Sequence, residues 1–147
     1  VTNRQYAFRG KNINEFLKDI NYDENCLIIF PYIFNDGDSE YIFGRHSWFN
    51  EQIKNLYVDK KTKKLQVNNK ETNKENDENL VKFNSIFLYR DEKLDESIYE
   101  QYNDIYYVYF TFNDKEFNCN IFLQDYEIID KKEYCSNTTK CVTYKIK

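Results

Sequence analysis

The groups in this 147-residue chain that could do chemistry are one histidine, four cysteines and a dense supply of carboxylates and phenols. His46 stands in Arg45-His46-Ser47-Trp48. Neighbouring side chains of an extended segment point to opposite sides, so His46 is badly placed to activate Ser47, and no carboxylate is identifiable to orient it. A small hydrolase in which a distant Ser or Cys meets His46 is the enzymatic alternative. Trp48 and Phe49, with Arg45 beside them, read better as a binding cluster, because Trp, Tyr and Arg are enriched in interface hot spots. The plainer reading is that Trp48 anchors its loop into the core.

Asp91, Glu92, Asp95, Glu96, Glu100 and Asp104 form the densest acidic run, and Asn35-Asp36-Gly37-Asp38 is the strongest turn signal. Neither has the ligand spacing of a calcium loop, so the first reads as a solvated helix face and the second as a turn. With no Cys-x2-Cys pair and one histidine, no metal site is expected. Gly10, Gly37 and Gly44 are isolated, which leaves no phosphate-cradling loop and implies no cofactor. A net charge of −4 argues against nucleic acid as a partner, since counterion release needs clustered cations.

The cysteines are expected to be structural. Cys135 and Cys141 bracket a short turn and can face each other across a hairpin, which leaves Cys26 to pair with Cys119 and tie the N-terminal strand to the C-terminal sheet. Four buried free thiols are the alternative. Asn137-Thr138-Thr139 is an N-glycosylation sequon on the same turn.

The elements that would position these groups follow from hydrophobic period. Ile13, Phe16, Leu17 and Ile20 recur at helical spacing behind Asn12 as N-cap. Residues 26–34 and 41–43 flank the Asn35–Asp38 turn as a hairpin, with Pro31 making the first strand an edge strand or placing a bulge in it. Leu56-Tyr57-Val58 and Leu65-Gln66-Val67 make a second hairpin around a lysine-rich turn. Residues 68–79 carry no apolar side chain and read as a mobile polar loop. Leu80–Tyr89 reads as one strand and Asp91–Asp104 as an acidic helix. Ile105–Phe112 is the most β-like run, followed by a strand over Phe117–Leu123 and a final hairpin ending in Val142, Tyr144 and Ile146. Tyr107 and Tyr109 offer a recognition surface, although packing beneath the acidic helix accounts for them equally well.

The expected fold is therefore α+β and β-rich, a single domain over 1–147 with a mostly antiparallel sheet or sandwich and one or two short helices. Asn, Lys and Ile number 19, 17 and 14, a bias that points to an AT-rich gene and lowers the weight of the polar tracts. No apolar run is long enough for a transmembrane helix, so no membrane insertion is expected of this segment. The expected function is non-enzymatic: a secreted or surface-exposed, disulfide-stabilised domain that binds another protein, of the kind found where host meets pathogen. A secreted inhibitor or propeptide-like regulator of an enzyme is the alternative. The expected address is extracellular or the cell surface, and cytoplasmic if the thiols are free.

Overall fold

The computed structural model describes residues 12–32, 56–67, 78–89, 92–112, 123–137 and 139–147. The Arg45–Phe49 cluster with His46, the Asn35–Asp38 turn, most of the 68–79 loop and all but Leu123 of the strand expected over Phe117–Leu123, Cys119 included, lie outside them.

Helix α1 covers residues 12–19, and its buried stripe of Ile13, Phe16 and Leu17 is the one its spacing predicts. It stops at Asn21, whose φ of 53° is the left-handed conformation that asparagine tolerates. Tyr22 N–H donates to the Leu17 carbonyl at 3.0 Å and Asn21 N–H to the Lys18 carbonyl at 3.2 Å. This is a Schellman stop, sealed by Leu17 and Tyr22, both buried.

The strands are β1 (Cys26–Tyr32), β2 (Leu56–Asp59), β3 (Leu65–Val67), β4 (Leu80–Lys82), β5 (Ser85–Tyr89), β6 (Asp104–Phe112), β7 (Ile128–Cys135) and β8 (Thr139–Ile146), with helix α2 (Glu96–Gln101) before β6. One sheet runs β5-β1-β6-β8-β7 and a smaller one β3-β2-β4. Four of the six pairings are antiparallel, and β1 lies parallel to both β5 and β6. The fold is α+β with antiparallel pairing predominating. The parallel part is the element the sequence pattern does not carry.

In β1, Cys26, Ile28 and Phe30 face one core while Leu27 and Ile29 face the other. A strand apolar on both faces is central, and β1 sits between β5 and β6, not at an edge. Pro31 pairs with Leu88 of β5, beyond Ile29, where the β6 pairing stops. The missing N–H thus falls where β1 has one described neighbour. Residues 80–89 divide between the two sheets at Phe83-Asn84. Tyr22 fixes that break: its hydroxyl accepts from Asn84 N–H at 2.8 Å and donates to the Lys82 carbonyl at 3.4 Å.

Two apolar layers result. On one face of the large sheet, α1 and β2 bury Phe16, Leu17, Leu56 and Val58 against Ile28, Val108 and Cys141. On the other, Leu94, Leu123 and α2's Ile98 and Tyr99 cover Leu27, Tyr107, Tyr109, Val142 and Tyr144. Asp95 caps α2 by accepting from Ser97 N–H at 2.9 Å. Tyr107 and Tyr109 are only 1% and 3% exposed, so they are core residues and not a recognition surface.

The Cys135–Cys141 bridge is not formed. Cys141 lies opposite Tyr134 and Cys135 opposite Lys140. The two sulfurs therefore sit on opposite faces of the sheet, one exposed and one buried, because successive side chains of a strand alternate. Cys26 is also a free thiol, in contact with Asp23 Oδ1 at 3.6 Å. Asn137 is exposed in the β7–β8 turn.

Candidate functional site

On the α1 face of the large sheet, three rungs cross β6, β8 and β7. The first is Phe110–Cys141–Tyr134, the second Val108–Thr143–Lys132 and the third Tyr106–Lys145–Asp130. Moving along them the surface passes from apolar to charged. Over the last two rungs the C-terminal end of α1 leaves a recess of about 190 Å³, walled by Phe16, Ile20 and Tyr106 and rimmed by Asp19, Asp130, Lys132 and Lys145.

Asp19 occupies the last turn of α1, where the helix dipole disfavours a carboxylate. Its charge is held by β7: the Tyr134 hydroxyl donates to Asp19 Oδ2 at 2.6 Å and Lys132 Nζ lies 3.2 Å from the same oxygen. Those two donors keep its pKa below the ordinary carboxylate value. Tyr134 moves the opposite way, raised by burial and by its bond to Asp19. Phe16 packs edge-on against both Tyr106, at 5.2 Å between ring centroids, and Tyr134, at 5.7 Å. Lys145 Nζ reaches Asp104 at 3.2 Å and lies 5.9 Å from the Tyr106 ring centroid. Burial first, then the charges of Asp104, Cys26, Asp130 and Asp19, push the Tyr106 phenol up to about 12.

The outer strand β7 is protected against open-ended pairing. It carries an irregularity between Ile128 and Asp130, places two lysines at its centre, and uses the Asp130 carboxylate to accept from Lys131 N–H at 2.9 Å. Ile128 and Ile129, 45% and 53% exposed, are the large apolar residues left on the described surface.

None of the recess residues is singled out as a site residue by the sequence, Phe16 and Ile20 being read there only as the apolar stripe of α1. Two signals were available: an acid in the last turn of a well-formed helix, and polar Thr143 and Lys145 at the positions of β8 that share a face with Cys141. Of the residues that were singled out, Tyr107 and Tyr109 are together but buried, Cys135 and Cys141 are apart, and Arg45, His46, Trp48 and Phe49 lie outside the described residues. Among the described residues no group of three His, Cys, Asp or Glu side chains is placed to hold a metal ion, and no helix is long and apolar enough to cross a membrane. Comparison with family models, with curated proteins and with solved structures finds no match.

Proposed function

We propose that the chain is a protein-binding domain that takes a side chain of its partner into the recess between α1 and β7. The recess itself carries this reading. At about 190 Å³ it falls below the roughly 300–1,000 Å³ of small-molecule sites, and it suits one inserted side chain better than a free metabolite. Its shifted groups are driven away from neutrality, Asp19 downward and Tyr106 and Tyr134 upward. General acid–base catalysis asks for the opposite, so this chemistry supports recognition over proton transfer. The extracellular address, expected from paired cysteines, now rests on the exposed Asn137 alone.

Selection of displayed peptides on the full chain tests the proposal, with Asp130→Arg as counter-target. Asp130 is exposed, so the variant keeps the fold, checked by circular dichroism, while its longer side chain fills the recess. Peptides that bind the wild type and fail on Asp130→Arg are the expected result. Enrichment that ignores the substitution, or none at all, refutes binding through the recess.

A further inference from the structure

We propose that the recess is a receptor for a basic side chain, an arginine guanidinium above all, presented by the partner protein; this rests on the binding-domain reading just given. Two carboxylates, Asp19 and Asp130, and two ammonium groups, Lys132 and Lys145, line the recess, and a third carboxylate, Asp104, reaches Lys145 from outside that lining. Lys132 is held by Asp19 and Lys145 by Asp104. Among the described residues Asp130 has no ion-pair partner, and its one hydrogen bond to them is the local one from Lys131 N–H. The Tyr106 hydroxyl, on the same rung and lining the same space, makes no hydrogen bond to the described residues. The cavity thus offers, among the described residues, a carboxylate without an ion pair and a phenol without a hydrogen bond, beside the rings of Phe16 and Tyr106.

An entering anion would meet Asp130 and Asp19 while both lysines are already engaged by carboxylates. An entering cation gives Asp130 the ion pair it lacks among the described residues. A metal ion finds no set of three ligands among the described residues, which leaves an organic cation. Guanidinium fits best: its planar fork bonds a carboxylate through two parallel N–H groups, it is weakly hydrated, and its face stacks on aromatic rings. The Tyr106 ring already has the Lys145 ammonium 5.9 Å from its centroid, so its π face is compatible with a neighbouring positive charge.

The test is a titration of the full chain with N-acetylarginine methylamide, followed by amide chemical shifts, with the lysine analogue and inorganic phosphate as parallel probes. Saturable shifts centred on Asp130, Lys132, Thr143 and Lys145, larger for the arginine probe than for the lysine probe, are expected. Asp130→Asn, which keeps the shape and removes the charge, weakens binding by about tenfold or more, the scale of a charge-assisted hydrogen bond. Absence of saturation, the same shifts with phosphate, or unchanged affinity in Asp130→Asn overturns the proposal. If any of these occurs while displayed peptides still depend on Asp130, only the basic side chain is lost and the binding domain stands. Guanidinium bound at Asp130 with peptides indifferent to it supports the receptor chemistry and removes the wider reading.

Discussion

Alkylation of the native protein should separate its thiols by reactivity, with Cys135 modified first. Cys135 is exposed on the outer strand, whereas Cys141 is 0% exposed beneath α1 and Cys26 is buried at the start of β1. Burial, chiefly, pushes the Cys26 thiol up to about 11. At pH 8 its thiolate fraction is then on the order of 10⁻³, against about a quarter for an ordinary thiol of pKa about 8.5. Complete burial raises Cys141 further, and reagent reaches it only through opening of the sheet. If that opening costs about 5 kcal/mol, the low end of domain stability, the open fraction is on the order of 10⁻⁴. Cys141 should therefore lag an exposed thiol by at least about a thousandfold. The assay is a time course with iodoacetamide under native conditions, quenched into acid and read by peptide mass mapping. In denaturant, Cys26, Cys135 and Cys141 should react alike. A Cys135–Cys141 bridge in the mapped peptides, or equal native rates for the two, refutes the strand register on which the recess depends.

Two further outcomes are expected. Tyr22→Phe removes the acceptor of Asn84 N–H at the break between β4 and β5, and urea denaturation should show a loss of about 1–3 kcal/mol, the usual cost of stranding one partner of a buried hydrogen bond; a loss within error would mean that the break is not fixed by this hydroxyl. Asp19, whose folded pKa lies below its unfolded value, stabilises the native state fully above about pH 5 and loses that effect as pH falls through the folded pKa. Because its side chain is 45% exposed, solvent screening limits the effect to under about 1 kcal/mol. Asp19→Asn should therefore lower stability at neutral pH by under about 1 kcal/mol and converge on the wild type as pH falls, which flattens the acid limb slightly, and a steeper acid limb in the variant would contradict the assignment.

Much of the fold was legible because its strands bury bulky side chains on a period of two. The β2–β3 hairpin, β6 and β8 each declare themselves within one contiguous run, β7, exposed along nearly its whole length, only through the turn that joins it to β8, and α1 does so through Ile13, Phe16 and Leu17. The parallel placement of β5 and β6 beside β1 has no such local signal, since it depends on how the segments between them cross the sheet. Division of residues 80–89 was hidden for a related reason. Val81, Phe83 and Phe87 keep one parity throughout and face one core, so the pattern gives no hint that the strand changes sheets at Asn84. The recess is assembled from α1 and three strands, and only the register across those strands brings Asp130, Lys132, Thr143, Lys145 and Tyr106 together.

That register also explains why the paired-cysteine expectation failed. Sliding β7 by one residue would set Cys135 opposite Cys141 and allow a bridge, whose short loop would contribute about 2–3 kcal/mol in the chain-entropy model. The same slide would put Lys131 opposite Lys145, a like-charge pair, and turn Tyr134 to the other face, away from Phe16 and Asp19. In the observed register Asp130 faces Lys145 and Tyr134 packs on Phe16. A like-charge cross-strand pair costs about 0.2–1 kcal/mol, a cost the observed register avoids while Lys145 pairs with Asp104. The aromatic contact adds about 0.5–1.5 kcal/mol beyond its buried area. The hydrogen bond from Tyr134 to Asp19 and the burial of the ring add to this, so the observed register matches or exceeds what the bridge would have contributed. The residues that outweigh the disulfide are the ones that shape the recess, and the thiol measurement therefore tests both at once.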